Sequence, residues 1–159
     1  MKATKLPESV LVVIHTPAFE VLLLERADHP GFWQSVTGSR HTWYEPLRHT
    51  CIREVFEETG LTKDQYQLSD WHQTNRYEIF KHWRNRFPAG VTHNCEHVYG
   101  LMVPSAVPVT LAPDEHLRYE WLDWKQAQER CFSWTNVAAI RQIPQRLKQP
   151  ARAASMRGG

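Results

Sequence analysis

Residues 46–59, PLRHTCIREVFEET, carry the strongest helix pattern in the chain. Pro46 suits the first position of a helix, and Gly60 suits the residue immediately after its end. The apolar side chains on one side of this helix are expected to pack against a β-sheet: Ile52, Val55 and Phe56. The segment therefore predicts one central helix around which the rest of the domain is built.

The other side of this helix is acidic, since Glu54, Glu57 and Glu58 are spaced i, i+3 and i+4 and project from one face. An acidic face is usually ordinary solvated surface. Here, however, Glu57 and Glu58 lie in the last turn, where the helix carbonyls already present negative charge. Carboxylates crowded at that end need a cation to offset their repulsion, and clustered oxygen ligands select hard divalent ions, Mg²⁺ first. Arg53 is placed to orient one carboxylate by ion pairing.

The longer segment 38–61, GSRHTWYEPLRHTCIREVFEETGL, resembles the Nudix box. That box has a glycine, a glutamate, seven further residues and then Arg-Glu-aliphatic-x-Glu-Glu-x-Gly-aliphatic. The matching residues are Gly38, Glu45, Arg53, Glu54, Val55, Glu57, Glu58, Gly60 and Leu61. Six residues separate Gly38 from Glu45, where the family has five. The resemblance implies an α+β Nudix fold, an α/β/α sandwich with a central mixed β-sheet, in a single domain over residues 1–147.

The same resemblance implies a metal site and a mechanism. Glu54 and Glu58 are implied as ligands of Mg²⁺, with Mn²⁺ as the alternative ion, together with Glu115 in the segment EHLRYEWLD. Glu57 is a further ligand or the general base that accepts a proton from the attacking water. The candidate catalytic residues are Glu57, Glu54 and Arg53. The identity of the base and the number of metal ions stay open.

Strings outside the box, among them FWQSVTGS, YEIF, AGVTHN and SW-x-N, resemble a Nudix subgroup. That subgroup removes pyrophosphate from dihydroneopterin triphosphate, a step of folate biosynthesis, and it also hydrolyses dATP. The implied substrate-binding positions are Lys5, Arg26, Thr37, Tyr77, Glu78, Ile79, Phe80 and Ser133. The choice between the pterin, dATP and another nucleoside triphosphate stays open.

The chemistry of these positions suits a triphosphate joined to a flat ring. Lys5 and Arg26 are expected to pair with phosphate oxygens, Arg26 in bidentate fashion. Tyr77 and Phe80 can stack on a heterocycle. Glu78 can accept hydrogen bonds from the amino and ring N–H groups of a pterin. We expect a small-molecule partner, and neither a nucleic acid nor a membrane.

The remaining segments predict a sheet with a second helix. Residues 10–14 and 21–26 are continuous hydrophobic runs, which predict a hairpin covered on both faces. Residues 81–96 are expected to form a long loop. Further strands are expected around 32–36, 66–80 (bent), 97–103 and 119–122. A last helix begins near Ser133 or Thr135 and runs towards Leu147, with Pro144 expected to kink or fray its end.

Composition excludes several classes of protein. The 159 residues are 42% hydrophobic and 23% charged, as in ordinary globular domains. No apolar run approaches the roughly 18–20 residues of a membrane span. The beginning, MKATKLPES, has no secretory signal pattern, and three widely spaced cysteines fit a reducing cytoplasm. The net charge of +2 comes from residues 148–159, which are expected to be an unpacked, disordered tail.

Two alternative functions have weaker support in the sequence. His93, Cys95 and His97 alternate, a spacing compatible with zinc, although ordinary polar residues in a loop account for it more simply. Seven tryptophans and a basic cluster could form an RNA-binding module without enzymatic activity. The basic cluster consists of His82, Arg84 and Arg86. The nearly neutral charge of residues 1–147 opposes this second alternative.

Overall fold

A computed structural model describes residues 4–148, and its centre is one seven-stranded mixed sheet. The strands are β1 (Glu8–His15), β2 (Glu20–Arg26), β3 (Trp33–Gln34), β4 (Val36–Ser39), β5 (Gln67–Glu78), β6 (His93–Met102) and β7 (His116–Asp123). The order is β3-β2-β1-β6-β5, with β4 also paired to β1 and β7 to β2. Except for Lys148, the predicted tail lies outside the described residues.

The sheet is mixed because β1 runs parallel to β6 and antiparallel to β2 and β4. The predicted hairpin of β1 and β2 is confirmed. Both of its strands are buried on both faces, as their continuous hydrophobicity indicated. Alternate residues of β1 enter two separate apolar clusters, with Val10 and Val12 in one and Leu11 and Val13 in the other.

Helices cover both faces of the sheet. Helix α1 (Leu47–Thr59) packs with one cluster through Cys51 and Val55. On the opposite face, α2 (Trp124–Arg130) and α3 (Trp134–Arg141) contribute Ala127, Ala139 and Ile140 to the other cluster. The α/β/α sandwich is therefore confirmed. No helix within residues 4–148 is both long enough and apolar enough to cross a membrane.

Helix α1 ends as its sequence predicts. Pro46 is its N-cap, so the helix begins at Leu47, one residue later than predicted, and Gly60 is left-handed at φ 77°. The N–H of Gly60 donates to the carbonyl of Phe56 at 2.9 Å. The prediction that Phe56 packs against the sheet is wrong, since its side chain is 56% exposed. The buried face instead follows Cys51, Val55, Glu58 and Thr59, and Phe56 points away from it.

Three further segments differ from the predicted elements. β6 begins at His93, so the expected loop is shorter, and part of it is the 3₁₀ helix Lys81–Arg86. Helix α2 had no counterpart in the prediction. The last helix is interrupted, since α3 ends at Arg141 and a further helical segment covers 143–148. The expected bend in β5 is present, as a register shift between Asp70 and Gln73.

Candidate active site

The loop that precedes α1 is tied to the helix by one arginine. Arg53 Nε and Nη2 each donate to a carboxylate oxygen of Glu45 at 3.0 Å, and Nη2 also donates to the carbonyl of Ser39 at 2.9 Å. Glu45 further accepts from the backbone N–H of His41 and the hydroxyl of Thr50. The hydrogen bonds from Arg53 lower the pKa of Glu45 to about 2. Arg53 therefore joins the loop to the helix, although the loop has one residue more than the family's box.

Arg53 also holds Glu54, the first member of the acidic trio. Its Nη1 donates to Glu54 Oε1 at 2.8 Å and lies 3.6 Å from Glu57 Oε2. The Glu54 side chain crosses Gly38 so closely that a Cβ on Gly38 would lie 2.0 Å from Glu54 Cδ. Glycine at position 38 is therefore a steric requirement of this carboxylate. Burial raises the pKa of Glu54 to about 7, although the charge of Arg53 opposes the change.

Glu58 is the most deeply buried carboxylate of the trio, at 7% exposure. Its Oε2 has no hydrogen-bond partner among the described residues. Burial, followed by the charges of Glu54 and Glu115, raises its pKa well above the usual value. Glu115 lies in the turn before β7, and its carbonyl accepts from the N–H of Ala27 at 2.9 Å, which fixes that turn beside the end of β2.

Glu57 is the exposed member of the trio, with 51% of its side chain accessible. The cluster thus has one solvent-facing carboxylate, two enclosed ones and Glu115 nearby. A buried carboxylate oxygen without a partner is costly unless a cation or a donor reaches it. Oxygen-only donors of this kind fit a hard divalent cation. The residues therefore fit the ion that the sequence implied.

Beside the cluster opens a cavity of about 290 Å³, close to the lower limit for small-molecule sites. At one end lie Lys5, Arg26 and Arg86, together with Gly38, which contacts Glu54. Partial burial and the charges of Arg86 and Arg26 lower the pKa of Lys5. Arg26 and Arg86 share the carboxylate of Asp28, so the three cations keep a surplus of positive charge that favours an anionic ligand.

Arg26 is held in a specific orientation. Its Nε and Nη2 donate to the two oxygens of Asp28 at 2.7 and 2.8 Å, and Nη1 donates to Gln34 at 3.1 Å. Its guanidinium lies 4.2 Å above the ring of Trp83. Arg26 therefore uses two of its parallel N–H donors on Asp28. The same two donors are not available for the bidentate phosphate contact that was expected.

The structure brings the predicted substrate positions together around this cavity: Lys5, Arg26, Thr37, Tyr77, Glu78, Ile79, Phe80 and Ser133. Tyr77 is partly enclosed, and its hydroxyl accepts from Asn94 Nδ2 at 3.1 Å. Phe80 lies at an exposed edge, while Ile79 is buried. Ser133 is also the N-cap of α3, since its Oγ accepts from the N–H of Asn136 at 3.3 Å.

Glu78 is poorly placed for the role predicted for it. Its side chain is 65% exposed and forms an ion pair with Arg84. The carboxylate that faces the interior of the cavity is Glu96, on β6, which is only 2% exposed. Sequence reasoning missed Glu96 because it interpreted residues 81–96 as a loop. The signal was present as an alternation of Asn94, Glu96 and Val98, which places all three on one face of a strand.

The three residues of the zinc hypothesis lie on a strand, and not in the loop that was expected. Cys95 and His97 lie on strand β6, where they form a cluster with Glu8. His97 Nε2 lies 3.0 Å from Glu8 Oε2 and 3.9 Å from Cys95 Sγ. Glu8 is also paired with Arg40, and burial raises the pKa of Cys95. The cluster therefore places a carboxylate that is already paired with Arg40 beside an imidazole and a thiol whose raised pKa disfavours the thiolate that zinc requires.

The cationic cluster considered for RNA is largely neutralised by ion pairs. Arg84 pairs with Glu78, and Arg86 Nη2 lies 2.8 Å from Asp28 Oδ2. Trp83 packs against Arg26 and donates its indole N–H to Asp28 at 3.1 Å. Both arginines of the cluster are thus paired with carboxylates, so the structure gives the RNA hypothesis no support.

Comparisons with known proteins agree with this geometry. Dihydroneopterin triphosphate diphosphatase of Escherichia coli (strain K12) is 41% identical over 145 residues, which cover 89% of this chain and 95% of that protein. The protein of the same name from Haemophilus influenzae is 38% identical over 138 residues, covering 84% and 85%. The structure of the E. coli dihydroneopterin triphosphate pyrophosphohydrolase superposes with a TM-score of 0.83, covering 89% of this chain and 97% of that one.

The family described as NUDIX domain matches residues 5–143, which include the box, the cation end of the cavity and all seven strands. The mixed sheet and the helix that carries the acidic trio agree with the fold that the box implied. On these grounds the chain belongs to the Nudix family.

Proposed function

We propose that the chain hydrolyses dihydroneopterin triphosphate to dihydroneopterin monophosphate and pyrophosphate, with Mg²⁺ as the cofactor. One observation carries this proposal: a single cavity beside the acidic cluster is lined both by cations and by aromatic side chains. A triphosphate suits the cations and a flat ring suits the aromatic side chains. The names of the relatives at 41% and 38% identity support the same substrate.

The residues that would hold the ion are the acidic trio and the carboxylate before β7: Glu54, Glu57, Glu58 and Glu115. When bound, Mg²⁺ polarises the phosphate and lowers the pKa of a coordinated water. Arg53 keeps Glu54 in place through the 2.8 Å contact, and Gly38 leaves the space that this side chain occupies. The protein thus contributes the orientation of the carboxylates before any ligand arrives.

The phosphate chain is bound by the cations at the adjacent end of the cavity. Lys5 supplies a point charge, while Arg26 is held in place by its contacts with Asp28 and Trp83. Its position supplies a fixed positive field for the phosphates, although its fork is already paired with Asp28. We propose that Thr37 and Ser133 complete the wall between the phosphates and the ring.

We propose Glu57 as the general base. It is the one carboxylate of the trio with free access to solvent, so it can accept a proton from the attacking water and return that proton to bulk water. The bond broken is the phosphoanhydride between the α and β phosphorus atoms. The water contributes its oxygen to one product, and pyrophosphate leaves as the other. The whole reaction takes place within the single domain that we propose for residues 1–147.

The test is release of pyrophosphate from dihydroneopterin triphosphate by the purified full-length chain, with Mg²⁺ and with a chelator. We expect turnover with Mg²⁺, formation of one dihydroneopterin monophosphate for each pyrophosphate, and no turnover with the chelator. Release of three single phosphates, or an equal rate without a divalent ion, would contradict the proposal. Monitoring both products by chromatography distinguishes pyrophosphohydrolase from phosphatase activity.

A further inference from the structure

Arg86 is a cation of the cavity to which the proposed reaction assigns no individual role. It is the last residue of the 3₁₀ helix Lys81–Arg86, and it lines the cavity together with Lys5 and Arg26. The backbone carbonyl of Arg86 accepts from the N–H of Lys5 at 2.7 Å. The structure therefore joins Arg86 to the segment that carries one of the residues expected to bind phosphate.

Arg26 has already used most of its hydrogen-bond donors on protein groups. Three of its five N–H donors are engaged, since Nε and Nη2 donate to Asp28 and Nη1 donates to Gln34. One face of its guanidinium lies over the ring of Trp83, and only 17% of its side chain is exposed. A bidentate contact needs two parallel donors on one edge of a guanidinium, and the Nε–Nη2 edge of Arg26 is occupied by Asp28.

Arg86 differs from Arg26 in the number of donors that remain open. Its one side-chain hydrogen bond to another of residues 4–148 runs from Nη2 to Asp28 Oδ2 at 2.8 Å. Because one of its five N–H donors is used in this way, four remain for a ligand. Whichever hydrogen of Nη2 is bonded to Asp28, one complete edge of two parallel donors is left. The side chain is 34% exposed, which is twice the exposed fraction of the Arg26 side chain.

Asp28 is the residue that holds both arginines. Its carboxylate accepts from Arg26, from Arg86 and from the indole N–H of Trp83 at 3.1 Å. The hydrogen bonds from Arg26 hold the pKa of Asp28 well below its usual range, so this carboxylate stays ionised at neutral pH. One negative charge shared by two guanidinium groups leaves a surplus of one positive charge. A phosphate oxygen that contacts Arg86 can neutralise this surplus without breaking either ion pair.

We propose that Arg86 makes the bidentate contact with the phosphate oxygens of the substrate that was expected of Arg26, and that Asp28 positions Arg86 for it. This inference rests on the proposed function and identifies the residue that holds the anionic part of the substrate. Lys5 adds a point charge beside the guanidinium of Arg86. Arg26 contributes its charge to the same end of the cavity while its Nε–Nη2 edge stays on Asp28.

The alternative role for Arg86 is a purely structural link between the 3₁₀ helix and the loop that follows β2. Loss of such a link would change the shape of the cavity as a whole, so it would weaken the binding of the ring and of the phosphates alike. Loss of a phosphate contact would weaken the binding of the phosphates alone. Two ligands that each carry one part of the substrate separate these roles: inorganic tripolyphosphate and dihydroneopterin.

The kinetic experiment measures kcat and KM of the full-length wild-type protein, Arg86→Gln and Arg86→Lys for dihydroneopterin triphosphate with Mg²⁺. We expect kcat/KM of Arg86→Gln to fall about 10- to 100-fold, as expected when charged hydrogen bonds are lost. Most of this fall should lie in KM, because the contact is made before the reaction as well as during it. Arg86→Lys keeps the charge without the two parallel donors, so its kcat/KM should lie between the other two values. Wild-type kcat/KM in either variant would overturn the bidentate contact.

Lys81→Gln is the matched control, since it removes one positive charge from the same 3₁₀ helix. Lys81 is exposed and does not line the cavity. We expect the kcat and KM of this variant to equal those of the wild-type protein. A loss as large as that in Arg86→Gln would mean that the net charge of the helix matters and not the contact, and it would overturn the proposal.

The binding experiment uses the two partial ligands in the presence of a chelator, so that no turnover takes place. Calorimetric titration measures the affinity for inorganic tripolyphosphate, and quenching of tryptophan fluorescence measures the affinity for dihydroneopterin. We expect tripolyphosphate to bind Arg86→Gln at least tenfold more weakly than the wild-type protein and Lys81→Gln. Dihydroneopterin should bind all three proteins equally. Equal weakening of both ligands in Arg86→Gln would reveal the structural link and overturn the proposal. Tripolyphosphate binding that is equal in all three proteins, or absent in the wild-type protein, would also overturn it.

The two experiments together separate this inference from the proposed function. If the wild-type protein released no pyrophosphate from dihydroneopterin triphosphate, the proposed function would fail, and the tripolyphosphate titration would still decide the role of Arg86. If the wild-type protein and Arg86→Gln had equal kcat/KM and equal tripolyphosphate affinity, the proposed function would stand and the role of Arg86 would fail. A thermal melt checks the fold of each variant, and Arg86→Lys takes the place of Arg86→Gln in the titrations if the latter does not fold.

Discussion

At the scale of single residues, the site depends on carboxylates whose environments differ although they lie on one helix turn. Glu58 is enclosed, Glu57 faces solvent, and Glu54 is pressed against Gly38. The same residue type can therefore serve as an ion ligand or as a base according to its burial. A helix with three ordinary solvated glutamates would show neither the buried oxygen without a partner nor the close approach to glycine.

We expect Glu57→Gln and Glu58→Gln each to lower turnover by about 100-fold or more, since one removes the base and the other an ion ligand. Both substitutions preserve shape. Glu58→Gln also removes a buried charge and should leave the melting temperature unchanged or higher. Steady-state rates and thermal melts measure both effects, with Glu129→Gln on the exposed surface of α2 as the matched control. Full activity in both variants would contradict the assignment of the trio.

The contact of Gly38 with Glu54 predicts a specific non-additivity. Gly38→Ala should lower turnover at least tenfold, because the added Cβ displaces the Glu54 carboxylate. Glu54→Ala alone should also be impaired, and adding Gly38→Ala to it should cost little more, since the colliding side chain is gone. A double-mutant cycle on kcat/KM measures this coupling. Additive losses would indicate that Gly38 acts through another contact.

At the scale of elements, the loop before α1 and the helix are joined by the fork between Arg53 and Glu45. The pKa of Glu45 is lowered from its usual value to about 2, so its contribution to stability is present above about pH 4.5 and is lost as the pH falls towards 2. The depression corresponds to a contribution on the order of 3 kcal/mol. The hydrogen bonds that join the loop to the helix should therefore weaken in acid.

We expect the free energy of unfolding of Glu45→Gln to be lower than that of the wild-type protein at pH 7 and to depend less steeply on pH between 4.5 and 2. Urea titrations across that range measure both slopes. Glu129→Gln, on the exposed surface of α2, provides a control for loss of an exposed acid. Parallel curves for Glu45→Gln and the wild-type protein would contradict a depressed pKa.

Several elements could be predicted from the sequence because local chemistry determines them. Gly60 ends α1, the two hydrophobic runs form the hairpin, and Ser133 caps α3. Phe56 could not be placed in the same way, because the neighbouring surface is covered through Cys51, Val55 and a buried glutamate. The spacing of apolar residues along a helix therefore does not by itself show which face of the helix packs against the sheet.

At the scale of the whole molecule, the site is assembled from distant parts of the chain. The cavity combines Lys5, Arg26 and β4 with residues of β5, β6 and the start of α3. The box residues could be predicted because they are contiguous in sequence. Glu96 could not, because its burial arises only when β6 lies between β1 and β5. Its neighbour on β1, Ser9, is 87 residues away in sequence, and its neighbour on β5, Asn75, is 21 residues away.

The two apolar clusters of the sandwich lie on opposite faces of the sheet and contain none of the carboxylates of the site. We therefore expect the metal-free protein to remain folded, with a cooperative thermal transition in the presence of a chelator, while hydrolysis stops. Addition of Mg²⁺ should restore the activity of the same sample. Loss of the cooperative transition on chelation would indicate that the ion has a structural role instead.

The central claim is that the trio of glutamates binds the divalent ion needed for hydrolysis, and calorimetric titration of the purified protein with Mn²⁺ and Mg²⁺ tests it most directly. We expect saturable uptake by the wild-type protein in the presence of a non-hydrolysable triphosphate, and uptake at least tenfold weaker in Glu58→Gln. Equal binding by both proteins, or no binding by the wild-type protein with or without the triphosphate, would contradict the account.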